Sequence, residues 1–537
     1  MSRFVRASKY RHVFGRPTRK EQCYDNLHIS KNAWDSNIVK ANPKYLSVNW
    51  EASGGGAFAV IPHGERGKLP DQIPLFRGHT AAVLDTDWNP FHDDIVASGS
   101  DDGKVFIWKV PADFSLYVDE EELASKDVQP LVRLSGHPRK VGHVLFHPSA
   151  EGVLATSSGD FTIKVWDVET QQTKLTLRHP EIVQSMSYSG DGSLLVTTNR
   201  DKKLRIWDLR QQTPVHEGPG HAGAKNSRAV WLGDMDRIAT AGFSKMSDRQ
   251  LGLWDLRNPG EPMGGFQMLD SISGVCMPFW DDGTKCLYLA GKGDGNIRYY
   301  EYVNDDLVYL SEYKSADPQR GVAFVPKRGI DVKENEVMRA YKTVADTYIE
   351  PISFIVPRRA ETFQDDIYPD TANGKPGLTC VEWFDGKNAT PPTFSLGTLY
   401  SDDYVPPEPS PPQPKVERPP VVIPVTKKEE PAPEPPVAES SRSVPEPELE
   451  PVAEPTPAPK VETLKEIQAP APTPTVTITS PQETSGPTVS TSDLNGVLSS
   501  LQLLHHNLAA QSRAIASQQD ICSKLIKEVE ALKNKIK

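Results

Sequence analysis

The chain has 537 residues, 24% of them charged and 37% hydrophobic, with a formal net charge of −11. That length exceeds what one compact core usually supports, and the acidic balance argues against a nucleic-acid-binding protein. Five scattered cysteines without Cys-x-x-Cys or Cys/His spacing argue against a disulfide framework or a metal site, and no apolar run approaches membrane-spanning length.

In chain order, the first twenty residues invert the overall charge. Arg3, Arg6, Lys9, Arg11, Arg16, Arg19 and Lys20 meet no acidic residue before Glu21. A basic arm on an acidic molecule steers it toward an acidic partner such as a filament or membrane surface. Within the arm, Lys9 to Gly15 is placed to supply a strand that closes a circular β-structure, which makes Arg11 the cation least free to bind. Trp34 to Pro62 then alternates short β-rich runs with turns, as one blade of such a structure does.

Four sets of a histidine, a hydroxyl, an aspartate and a tryptophan follow in the same order: His79, Ser98, Asp102, Trp108; His137, Thr156, Asp160, Trp166; His179, Thr197, Asp201, Trp207; and His221, Thr240, Asp248, Trp254. The aspartate always lies six residues before the tryptophan; in three sets it lies four after the hydroxyl, and an insertion stretches the fourth. The spacing suits a four-stranded blade in which indole N–H, hydroxyl, imidazole and turn carboxylate form a buried hydrogen-bond chain. These sixteen residues are structural. A further blade runs from about Ser271 to Leu310, with Tyr300 six residues after Asp294 in place of tryptophan, and more strands lie in 321–359. The fold class expected is all-β, a seven-bladed WD40 β-propeller, followed by a disordered linker and a C-terminal α-helical coiled coil.

No aromatic residue follows Tyr404, and 24 of the 48 prolines lie between Pro406 and Pro487. Such a segment cannot bury enough apolar surface to offset ordering entropy and reads as an extended linker. Its Pro409 to Pro420 stretch has the composition of an SH3 ligand, although a plain spacer needs no ligand. The last segment keeps a heptad seam, with Leu494, Leu501, Leu508, Ile515, Cys522, Val529 and Ile536 at a, and Val497, Leu504, Leu525 and Leu532 at d beside Gln511 and Gln518. The seam predicts a parallel homo-oligomer of two or three chains. The expected division is a propeller over 1–360, the linker over 405–490 and the coiled coil over 491–537.

Nothing in the chain reads as catalytic. Gly54-Gly55-Gly56 lacks the Lys-Ser/Thr of a phosphate loop, paired aspartates fall in turns, and no nucleophile-base arrangement remains once the blade histidines are assigned. No enzyme activity, cofactor or metal is expected.

Lys9 to Gly15, Glu51 to Pro62, the insertion Phe243 to Gln250, Pro326 to Val332 and above all Val356 to Thr371 resemble the short coronins, WD-repeat proteins of the actin cytoskeleton, in the form found in fungi. The resemblance implies a C-terminal extension packed on the propeller over 361–404, binding and bundling of actin filaments in the cytoplasm at cortical actin structures, and regulation of the actin-related protein complex that nucleates branches. It also implies a filament contact that includes Arg3, Arg6, Lys9, Arg16, Arg19, Lys20, His28 and Lys31. His28 stands where relatives use a basic residue, and an ordinary histidine is largely neutral at pH 7. Two other classes compete. The repeated Trp-Asp-Leu-Arg of Trp207 to Arg210 and Trp254 to Arg257 resembles the adaptor-binding motif of ubiquitin-ligase substrate receptors, and a membrane-traffic scaffold would require lipid or coat partners instead of filaments.

Overall fold

The computed structural model describes residues 7–119, 121, 126–359 and 362–401. Arg3, Arg6, the linker and every residue of the heptad seam lie outside them. The described residues build seven sheets, antiparallel but for one short pair, arranged as the blades of a propeller. In each of blades 2 to 6 four consecutive strands run from the central axis to the rim, as in blade 3 with Val141–Phe146, Val153–Ser158, Thr162–Asp167 and Gln172–Arg178. The second strand of that blade, Val-Leu-Ala-Thr-Ser-Ser, is buried along its whole length because a blade is covered by a neighbour on both faces. Blade 1 takes Val39–Ala41, Tyr45–Trp50, Gly56–Pro62 and Phe76–His79. Blade 6 runs from Cys276 to Tyr313 with Tyr300 buried in its third strand.

Blade 7 closes the ring with chain from both ends of the domain. Its strands Val322–Phe324, Glu336–Val344 and Tyr348–Ile355 are completed by Phe14–Pro17, antiparallel to the last, with Phe14 opposite Ile355 and Pro17 opposite Ile352. The closing strand thus starts five residues later than Lys9, and only Phe14 and Gly15 of the expected segment belong to it. The preceding residues serve differently: Tyr10 and Val13 enter the core, where Tyr299 Oη donates to the Val13 carbonyl at 2.6 Å. Tyr24–Asp25 then pairs with the same strand of blade 7, at Ile349, and in parallel with Gly67–Lys68.

After the last blade the chain crosses the lower face, opposite the turn aspartates. Tyr368 Oη donates to the Glu336 carbonyl at 2.9 Å. Gly377 N donates to the Ser149 carbonyl at 2.9 Å and Glu151 N to the Leu378 carbonyl at 3.0 Å. The short helix Cys380–Phe384 starts with a capping box between Thr379 and Glu382, which satisfies two free backbone donors and sets the angle at which Trp383 is buried edge-on against His147. Among the described residues no helix is long and apolar enough to cross a membrane.

Candidate functional site

The chain leaves the rim strand of one blade to start the innermost strand of the next, so the histidine of each set sits at the end of one blade and its partners lie in the following one. The hydrogen-bond chain therefore joins neighbouring blades. It closes fully in two sets. His79 Nε2 bonds Ser98 Oγ at 2.8 Å, Nδ1 meets Asp102 Oδ2 at 3.0 Å, and Trp108 Nε1 donates to Ser98 Oγ at 2.8 Å. His137, Thr156, Asp160 and Trp166 repeat this at 2.8, 2.9 and 2.8 Å.

The other two sets depart from the expected chain. His179 reaches Thr197 at only 3.4 Å, and Asp201 is taken by Arg205, whose Nη2 lies 2.6 Å from it. In the last set His221 bonds Thr240 at 2.9 Å and Trp254 donates to the same hydroxyl at 2.8 Å, but the stretched turn carries Asp248 away to Ser244 and Ser271. Asp201 and Asp248 thus belong to other networks.

A strap between the arm and blade 1 crosses the mouth of the central channel. Trp34 Nε1 donates to the Gly142 carbonyl at 2.8 Å, and a Cβ on Gly142 would lie 2.1 Å from the indole. Asp35 accepts from Arg228 Nη2 at 2.7 Å and lies 2.8 Å from Lys292 Nζ. Burial alone would raise the Asp35 carboxyl, yet Arg228 and Lys292 hold it far below the ordinary carboxylate range. Beneath the strap, Lys40, Asp85, His143, Gln184 and Arg228 surround a cavity of about 160 Å³. Burial pushes the Asp85 carboxyl up to about 6 against the pull of Lys40, and burial with Arg228 nearby pushes the His143 imidazole down to about 3. The upper mouth of the channel is thereby closed by ion pairs that reach blades 5 and 6.

The arm's cations divide into two groups. Lys9 Nζ donates to the Asp366 carbonyl at 2.8 Å, and Arg16 pairs with Glu334 at 3.3 Å. Arg19 and Lys20 are exposed where the chain turns into Tyr24–Asp25. The parallel pairing with Gly67–Lys68 brings two further exposed cations, Arg66 and Lys68, to the same edge. Neither belonged to the cations expected from the sequence. His28 is exposed, 5.5 Å edge-on from Trp50, and Lys31 follows where its backbone N–H donates to Glu51 at 2.9 Å. The structure thus brings Arg19, Lys20, Arg66, Lys68, His28 and Lys31 to the side of the propeller between blades 7 and 1, while Lys9 and Arg16 brace blade 7 and its extension.

Of the two Trp-Asp-Leu-Arg segments, Arg210 hydrogen-bonds Asn388 of the extension, and Arg257 turns back onto Asp255 at 3.0 Å.

Residues 3–68 match a family model described as a domain of unknown function, DUF1899. Residues 71–109, 128–167 and 171–208 match the WD domain, G-beta repeat, and 349–391 match a type of WD40 repeat. Among curated proteins, the chain is 64% identical over 398 residues to the coronin-like protein crn1 of Schizosaccharomyces pombe and 58% identical over 402 residues to the coronin-like protein of Saccharomyces cerevisiae. Each match covers 74% of this chain but only 65% and 62% of those relatives, just under two thirds of their length. Coronin-A of Dictyostelium discoideum is 49% identical over 74% of this chain and 87% of its own. The crystal structure of the WD40 domain from Toxoplasma gondii coronin superposes with a TM-score of 0.68 at 31% identity, covering 72% of this chain and 97% of that one.

Proposed function

The chain belongs to the coronin family, and on that premise we propose that it is an actin-filament-binding regulator of the cytoplasmic actin cytoskeleton, at cortical structures. The observation that carries this reading is the edge between blades 7 and 1. There Arg19, Lys20, Arg66 and Lys68 stand exposed beside His28 and Lys31, all within the segment 3–68 that matches one family model. An acidic filament side is drawn to such a patch by complementary charge, and the contact weakens with salt.

The propeller over 1–360 with its extension over 361–404 forms the filament-binding head in this proposal. The linker over 405–490 sets its reach and the segment 491–537 joins two or three heads as a parallel coiled coil. Linked heads turn weak single contacts into avid ones and bridge two filaments into a bundle. Regulation of the branch-nucleating actin-related protein complex is assigned to the coiled coil and linker. The ligase-receptor alternative draws less support, because Arg210 is engaged by the extension.

Co-sedimentation with actin filaments tests the proposal. Full-length protein should pellet at low salt, the 1–404 fragment more weakly. Joint reversal of Arg19, Lys20, Arg66 and Lys68 to glutamate should weaken pelleting at least tenfold. Pelleting that ignores both the reversal and the salt would overturn this assignment, and no pelleting by either protein would overturn filament binding itself.

A further inference from the structure

A second group of cations lies over blades 3 to 5, on the face that carries the turn aspartates. Arg139 and Lys140 enter from the segment before blade 3, Arg200 and Lys202 from the blade 4 turn, Lys225 from the segment before blade 5 and Lys245 from the blade 5 turn. Three of them reach across to neighbouring segments. Lys140 Nζ lies 4.7 Å over the Trp34 ring, Lys202 Nζ donates to the Ala222 carbonyl at 2.9 Å, and Lys225 Nζ donates to the Ser273 carbonyl at 2.8 Å. Among the described residues none of the six makes an ion pair, whereas Arg237, Arg249, Arg298 and Arg320 in blades 5 to 7 are all paired. The nearby Glu181 accepts from the backbone N–H of Ile182.

Arg200 opens onto a hollow of about 260 Å³ whose other lining residues include Trp34, on whose ring Lys140 sits, and Ile182, Ala224 and Asn226. Asp35 in its wall is neutralised by Arg228 and Lys292. Beside it the turn of blade 5 presents Met246, 84% exposed and next to Lys245. Ile272, 37% exposed, stands on the neighbouring segment, which Ser271 ties to that turn through a 2.9 Å bond to Asp248.

We infer that this face docks on an anionic membrane surface, with a headgroup phosphate held by Arg200 at the hollow and the Met246 tip entering the headgroup boundary. Unpaired cations are attracted by an anionic leaflet, and a guanidinium fork matches phosphate oxygens. An acidic protein would attract the same cations. The exposed methionine beside them is what favours lipid, since an apolar tip amid lysines is how a peripheral protein gains area in the interface. The edge between blades 7 and 1 stays free, so one propeller could hold membrane and filament together. The inference does not depend on the filament reading.

The test is flotation of the full-length protein with vesicles of phosphatidylcholine alone, with phosphatidylserine added, and with a bisphosphorylated phosphoinositide added. Binding should appear only with the anionic lipids. The triple variant R200E/K225E/K245E should bind about a hundredfold more weakly, at a factor of roughly five per cation. M246D should lose several-fold, and R19E/K68E should bind vesicles as the wild type does. Absence of flotation, or flotation indifferent to the triple variant, would overturn the inference. So would tight binding of soluble inositol trisphosphate without any vesicle binding. If the triple variant lost filament pelleting but kept flotation, the face would belong to the filament instead.

Discussion

Replacing Asp35 with asparagine should release the strap that carries Trp34 across the channel mouth. Asp35 is the partner shared by Arg228 and Lys292, at 2.7 and 2.8 Å, and Asn226 also donates to it at 3.2 Å. Asparagine keeps the shape but leaves two buried cations without a counter-charge, a change that costs about 3–5 kcal/mol in buried pairs. Arg228 retains a bond to Asn37, so the lower end, about 3 kcal/mol, is expected. Because the Asp35 carboxyl is held below its ordinary value, its contribution is fully present above the unfolded pKa of about 3.8 and is lost as pH falls below it. Urea unfolding at pH 7 and again near pH 3 should therefore show a large gap between wild type and D35N that narrows in acid. Limited trypsin digestion at pH 8 should cut D35N faster at the exposed Lys31. Equal stability at pH 7 together with equal cutting would refute the view that this ion pair anchors the strap.

Asp85 runs the opposite way. Its carboxyl is raised from 3.8 to about 6, so the folded state loses stability as pH climbs through that window and stays at the lower level above it. The rise is worth at most about 3 kcal/mol, and D85N should be more stable than wild type at pH 7.5, with the gain fading by pH 4 when unfolding is followed across that range. The two kinds of blade set should also separate by nuclear magnetic resonance of the histidine rings. D160A removes the partner of His137 Nδ1 and should shift that ring's nitrogen signals, whereas D201A should leave the His179 ring nearly unmoved, since Asp201 bonds Arg205.

The difference between those sets follows their spacing. His79 and Ser98, like His137 and Thr156, are nineteen residues apart and close the full chain; His179 and Thr197 are eighteen apart, and their bond stretches to 3.4 Å while Asp201 turns to Arg205. Thr240 and Asp248 are eight apart instead of four, and Asp248 is carried out of reach. A hydrogen-bond chain across two blades tolerates little change in strand or turn length, because each bond needs its donor within about 3 Å and in line. Residue identity therefore predicted the fold, whereas all four sets were expected to close, and the short spacing of the third set gains its meaning only from the bonds observed.

The charged surfaces were far less legible. In the basic arm the sequence sets only Arg11 apart, yet Lys9 and Arg16 are drawn into contacts with Asp366 and Glu334, more than 300 residues away. Arg66 and Lys68 join Arg19 and Lys20 only because Gly67 pairs with Tyr24, and a Cβ at Gly67, where φ is +93°, would lie 3.3 Å from the Glu21 carbonyl oxygen. The face over blades 3 to 5 draws its six cations from short segments more than a hundred residues apart at the extremes, each unremarkable in its own repeat. A propeller turns a linear period into a ring, so charges separated by one repeat in sequence become neighbours around a mouth. Strand periodicity is a local property that a sequence displays directly; a surface potential is a property of the ring, and it exists only once the last blade has closed on the first.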